Sequence, residues 1–254
     1  MKIIRISFLV IIMASISTTT FAGWEIHFGG GGMMSPTAVY IQKNMMRQDM
    51  GQLVTIMDIN KEWIYYLNPA RKTYWSGPVS QMHKTGQDEA QTAIEKMLKD
   101  LPPAQRELMK KAMEQQGPSR DEIKPRVNSD VKKTNRTDII AGHKSQQYEI
   151  YTNGELFMEL WVAKSVPIAK EMDIKKLIKM MAQMSQSGPG ENPMSSPKVQ
   201  ALWKEGYPLR QITHFMGRPN TSEATKVKQK PIPSSLFKVP EDYRKVGGVM
   251  EVMQ

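Results

Sequence analysis

Cysteine is absent from the 254 residues of this chain. That single absence removes disulfide frameworks, thiolate zinc sites, iron–sulfur clusters and cysteine nucleophiles. It also removes the acylated cysteine through which an exported protein is tied to lipid. Histidine is scarce, with four residues (His27, His83, His143 and His214), and none sits in an H-E-x-x-H spacing. The sequence therefore gives a histidine metal site only weak support. No G-x-S-x-G elbow is present. The tetraglycine Gly29 to Gly32 lacks the Lys-Ser/Thr of a phosphate loop and reads as a flexible loop. With no catalytic motif and no cofactor implied, the expectation is a non-enzymatic protein. Hydrophobic residues at 40% and charged residues at 24% are still those of a folded chain rather than a disordered one.

Beyond the N-terminus there is no long apolar run. Lys2 and Arg5 precede the apolar segment Ile6 to Ile16, and Thr20-x-Ala22 supplies a small-x-small cleavage site. These are the three parts of a secretory signal peptide, assigned to residues 1–22. The alternative, an uncleaved N-terminal anchor, is disfavoured by the short apolar run. The compact layout predicts a bacterial periplasmic protein that is not lipid-anchored, with residues 23–254 as one domain. The formal charge of +10 loses Lys2 and Arg5 on cleavage but stays positive. In an exported protein this charge points to an anionic membrane surface or an envelope protein rather than to nucleic acid.

The mature chain alternates β-rich and helical stretches. Thr37 to Trp75 reads as a meander of short strands with turns at Gly51, Asp58 to Lys61 and Asn68-Pro69. Ala90, Ala93, Ile94, Met97, Leu98 and Leu101 recur at helical spacing, and Leu108, Met109, Ala112 and Met113 follow after Pro102-Pro103. This predicts an αα-hairpin over 88–116. Val127 to Ile140, Gln146–Tyr151 and Glu155–Ala163 read as strands, the last two joined by Asn153-Gly154, the strongest hairpin signal in the chain. Ile174, Leu177, Ile178 and Met181 predict a third helix over 169–184. Ser187 to Lys198 reads as a mobile loop, Val199 to Lys204 as a helical turn, Leu209 to Met216 and Glu223 to Gln229 as strands, and Pro231, Pro233 and Pro240 as markers of an irregular tail. The fold class is α+β: an antiparallel sheet of about eight or more strands with inserted helices on one face.

Methionine is the unusual abundance. Its 21 copies exceed phenylalanine, tyrosine and tryptophan together. Unbranched thioethers suit an interior that adapts to several apolar shapes, although core gap-filling accounts for them equally well. The candidate cavity residues are Met97, Leu98, Met109, Met113, Leu177, Met181 and Met184 on helices, with Trp63, Tyr65, Met158 and Trp161 on strands. Thioether binding of copper(I), with Met180, Met181 and Met184 one turn apart, is a weaker alternative because no dense M-x-x-M array exists.

The stretch Asp138-Ile139-Ile140-Ala141-Gly142-His143-Lys144, followed by Tyr148-Glu149-Ile150-Tyr151 and Trp161-Val162-Ala163, resembles an uncharacterised secreted bacterial family, the domain of unknown function four-four-one-two. Ile41 to Tyr74, with Met46-Arg47 and Asp58, and Ser235 to Tyr243 also fit. Ser145 departs from the pattern, since cysteine is frequent there. The layout is similar to that of the lipoprotein carriers LolA and LolB. That resemblance implies a strongly curved incomplete barrel whose concave face is covered by helices over an apolar cavity. It implies a hydrophobic ligand such as a lipid, acyl chain or lipoprotein. Arg47, matching the carrier arginine that bonds lid carbonyls, becomes a gating candidate. The competing expectation is an envelope structural or protein-interaction module with a filled core.

Overall fold

A computed structural model of the chain describes residues 22–31, 35–82, 98–99, 101–103, 105–109, 128–185, 193, 196–215 and 218–253. The expected signal segment up to residue 21 lies outside them, as does most of the expected 88–116 hairpin and of the 187–198 loop. Of that hairpin, residues 98–99, 103 and 105–109 are helical.

Twelve strands form one sheet: β1 (Gly23–Gly30), β2 (Ala38–Gln42), β3 (Met45–Met50), β4 (Leu53–Asp58), β5 (Trp63–Asn68), β6 (Thr73–Pro78), β7 (Ser129–Ile140), β8 (His143–Thr152), β9 (Glu155–Ala163), β10 (Tyr207–Phe215), β11 (Arg218–Lys230) and β12 (Arg244–Lys245). Their order is β12-β6-β5-β4-β3-β2-β1-β11-β10-β9-β8-β7. Every pairing is antiparallel except β12 with β6. The meander β1–β6 and the group β7–β11 meet along β1 and β11, where Ile26 lies opposite Val227. The sheet is large, mostly antiparallel and unclosed, with few helices.

Local chemistry sets the hairpins. Asn153-Gly154 and Ala141-Gly142 both take positive φ at their two central positions (51° and 88°, 48° and 85°). That is the backbone a tight hairpin between right-twisted strands needs. The same conformation occurs at Lys43 and Asn44 (50° and 62°). There it divides a stretch that reads as one run from Thr37 to Met50 into β2 and β3.

The helices lie on both faces of the sheet, not on one as expected. Helix α1 (Ile174–Ser185) packs Leu177 and Met180, with Ile178, Met181 and Met184, onto an inner cluster that includes Trp24, Ile26, Val39, Ile64 and Trp161. It begins later than the expected residue 169 because Ile168–Lys170 forms a 3₁₀ turn. Asp173 then caps the helix, its Oδ1 accepting from the Lys176 amide at 3.1 Å. Helix α2 (Pro197–Glu205) starts on a proline, whose missing N–H costs nothing there. It buries Val199 and Leu202 against Tyr148, Ile150, Met158, Leu160 and Val162. These side chains alternate with Trp161 and Ala163 along β9, so α2 covers the opposite face.

The proline-marked tail also covers a face. Ile232 and Phe237 close a third cluster with Val54, Ile56 and Leu67 on the outer side of β4 and β5. Gln42 clasps Ile232 at two points, accepting from its amide at 2.7 Å and donating to its carbonyl at 3.1 Å. Past β12 the chain returns to the inner side, where helix α3 (Val249–Met253) buries Val252 and the Asn68 amide donates to the Val252 carbonyl at 2.9 Å.

Candidate functional site

The group β7–β11 concentrates the polar chemistry. The register aligns Gln147 of β8, Trp161 of β9 and Arg210 of β10 across the sheet. The Arg210 guanidinium lies 4.9 Å from the Trp161 ring centroid, a cation–π arrangement. Its Nη2 meets Asp138 Oδ2 of β7 at 2.9 Å, and its Nε pairs with Glu223 of β11. Asp138 is three strands away from Arg210 in the sheet order. Such a reach requires the sheet to curl, and β7 does approach β11. The Ile139 amide, followed by Arg210, holds the Asp138 carboxyl below its ordinary range.

Beside this sits a connected polar row. Thr134 Oγ1 donates to Gln147 Oε1 at 2.9 Å, the Gln147 amide donates to Glu159, and Glu159 Oε1 meets His214 Nε2 at 2.9 Å. Gln147 and Ser145 are fully buried. A carboxylate saturated in this way is a fixed anchor that sets the spacing of β8, β9 and β10. The Trp161 indole N–H, by contrast, is buried with no partner among the described residues.

On the other face of β7–β9 a pocket of about 470 Å³ opens, lined by Lys133, Thr137, His143, Lys144, Lys164 and Ser165 around Val162 and Gln146. Among the described residues its lining includes no acidic one. The register of β7 shifts between Lys133 and Thr137, which creates the recess. The Gln146 side-chain amide ties the bulge by donating to the carbonyls of Thr134 at 2.7 Å and Arg136 at 2.9 Å. His143 Nδ1 and Ser165 Oγ are 2.8 Å apart. Lys144 lies just beyond the Ser145–Ala163 pair on one side and Lys164 just beyond it on the other, and both border the recess.

The sequence-derived cavity residues do not line one cavity. Leu177, Met181, Met184 and Trp161 belong to the inner cluster under α1. Met158 lies on the opposite face under α2. Tyr65 packs in the tail-covered outer cluster, and Trp63, on the same side of β5 by alternation, is half-buried. Met109 is exposed and Leu98 half-buried, while Met97 and Met113 lie outside the described residues. Arg47 also faces outward. Its Nη1 donates to the Leu236 carbonyl at 3.0 Å and its Nε to Asp49 at 2.7 Å. It therefore pins the tail, not a helix over the inner face. Glu25 and His27 share a face of β1, 2.5 Å apart, and His214 pairs with Glu159. Among the described residues no three His, Cys, Asp or Glu converge as metal ligands, and no helix is long and apolar enough to cross a membrane.

Sequence reasoning missed the lysine pocket and the Arg210 network. The pocket had one legible signal: the two hairpins around Ala141-Gly142 and Asn153-Gly154 fix the register that brings the ends of β8 and β9, with Lys144 and Lys164 beyond them, to one side. Arg210 had none, because its partners come from strands whose adjacency depends on the curl.

Two crystal structures of PNGF-II resemble this fold distantly. The form in space group C2 aligns with 12% identity and a TM-score of 0.41, and the P21 form with 10% and 0.39. Each alignment covers 91% of this chain but 32% of the other, so the chain spans about a third of that protein's length. No curated protein matches the sequence. A family model does match, over residues 96–243, and by it the chain belongs to the family described as domain of unknown function (DUF4412).

Proposed function

We propose that the protein is an exported, non-catalytic binding protein of the bacterial periplasm, a carrier in the manner of LolA and LolB, that holds an apolar ligand between α1 and the inner face of the sheet. The observation that carries this reading is the make-up of α1. It turns Leu177, Met180, Met181 and Met184 toward the inner cluster, and three of these four side chains are adaptable thioethers. Exposed polar ties hold α1 and the segment before it to the sheet. Asn44 Oδ1 accepts from the Asp173 amide at 2.6 Å, the Asn44 amide donates to the Glu171 carbonyl at 2.7 Å, and Lys179 Nζ meets Glu62 at 2.8 Å. An exposed ion pair contributes about 0–1 kcal/mol, so these ties add little to the apolar packing that holds α1 on the sheet. Beneath it, each Å² of apolar ligand surface removed from water contributes about 25 cal/mol. The unpartnered Trp161 N–H would find an acceptor in a ligand ester or carboxyl oxygen. Copper capture is less favoured, since Met180 is fully buried and Met181 and Met184 are engaged in packing.

Native mass spectrometry of the full chain, recovered from the periplasm of an expressing bacterium, tests this reading. The expected spectrum contains a lipid-sized adduct that organic solvent removes. A bare mass, unchanged after incubation with fatty acid or lipopeptide, would favour the filled-core interaction module instead.

A further inference from the structure

The pocket between β7, β8 and the end of β9 is separate from the apolar seat under α1 and lies on the opposite face. We propose that it binds the phosphate group of an organic phosphate, with Lys133, Lys144 and Lys164 supplying the charge and His143, Ser165 and Thr137 the hydrogen bonds. Four observations converge on this. Three ammonium side chains from three different segments border one recess, and no carboxylate is among its lining residues. Of the three lysines, only Lys164 has a carboxylate partner among the described residues, Glu205 at 3.6 Å, and that partner lies outside the lining. The recess is also held open. The β7 bulge is fixed through its carbonyls by Gln146, and the positive φ values of Ala141 and Gly142 turn the chain so that His143 and Lys144 reach the rim.

The fourth observation is that Lys144 and Lys164 both lie just beyond the Ser145–Ala163 pair, so that two like charges share one rim of the recess. A dianionic or monoanionic phosphate accepts charge-assisted hydrogen bonds from several ammonium groups at once. The volume of about 470 Å³ is in the range of small-molecule sites and exceeds what a bare oxyanion fills. A glycerol- or sugar-linked phosphate fits the remainder, with Val162 as an apolar wall. This chemistry is shared by a soluble organic phosphate and by a phospholipid headgroup.

The test uses the full mature chain in three binding arms: calorimetric titration with inorganic phosphate, calorimetric titration with glycerol 3-phosphate, and flotation with phosphatidylglycerol against phosphatidylcholine vesicles. Three proteins are compared: wild type, the pocket variant Lys133→Gln/Lys144→Gln/Lys164→Gln, and a charge-matched control, Lys228→Gln/Lys238→Gln/Lys245→Gln, at exposed positions elsewhere. The expected result is saturable binding in at least one arm, weakened about tenfold or more in the pocket variant, a loss of about 1.4 kcal/mol or more, and unchanged in the control. Binding of glycerol 3-phosphate assigns a soluble source. Binding of phosphatidylglycerol vesicles alone, lost in the pocket variant, assigns the headgroup. Should the triple variant fold poorly, Lys144→Gln alone is expected to weaken binding about threefold. No saturable binding in any arm, or equal loss in both triple variants, overturns the proposal. None of these outcomes depends on whether α1 covers a lipid.

Discussion

On β4 and β5 both faces are closed by apolar side chains: Met57, Ile64 and Tyr66 toward α1 and α3, Val54, Ile56 and Leu67 toward the tail. On β8 and β9 the α2 side buries Tyr148, Ile150, Met158 and Leu160, and the other side sets Gln147, Glu159 and the guanidinium of Arg210 beside Trp161. One sheet thus holds a region built for cohesion beside a region in which polar groups are buried and paired. Apolar burial is non-directional and forgiving of shape. A buried polar network persists only when each member is matched. The second region is accordingly where the sheet's geometry is most specified and where polar chemistry concentrates.

Breaking each region in turn should expose this difference. The largest effect is expected from Ile56→Ala in the cohesive region. Ile56 is fully buried between the sheet and the tail, and the cavity should cost about 2–5 kcal/mol in urea denaturation. Arg210→Met in the polar region should cost less, about 1–2 kcal/mol. Asp138 and Glu223 are partly exposed and regain water when the guanidinium goes. A loss as large as that of Ile56→Ala would mean that the curl itself depends on Arg210.

The seam between the regions supplies a pH test. Glu25 on β1 is nearly buried and is held by Lys230, Lys226 and His27 across and along the strands, which lowers its pKa from 4.5 to about 2. A depressed carboxyl contributes stability that is complete above 4.5 and is lost as pH falls toward 2. Its lysine partners are partly exposed, so screening limits the loss to about 1–2 kcal/mol. Glu25→Gln should flatten the stability profile in that window, and an unchanged slope would show that other carboxyls carry it.

The sequence made the cohesive region easier to read than the polar one. Period-2 alternation across Trp63 to Leu67 and Leu156 to Ala163, and the Asn153-Gly154 turn, set out strands and hairpins directly. Lys43-Asn44 was missed because a left-handed turn without glycine has no strong local mark. The tail was missed because proline spacing reports only irregular backbone, while its role comes from two residues, Ile232 and Phe237, docking on strands distant in sequence. The cavity candidates were scattered over three clusters for a similar reason. Methionine and aromatic residues mark burial, but which face they bury is decided by register. Trp161 and Met158, separated by three positions on β9, point to opposite sides.

The central claim is that α1 is a cover that must lift for an apolar ligand to enter. The chain contains no cysteine, so Glu62→Cys/Lys179→Cys introduces one unique pair in place of the ion pair that spans helix and sheet. Bridging that pair with a short cleavable bis-maleimide, and following uptake of a fluorescent fatty acid, tests the claim directly. Uptake about tenfold or more slower in the bridged protein than in either single-cysteine variant, restored on cleaving the linker, is the predicted result. Equal uptake in bridged and unbridged protein would contradict it.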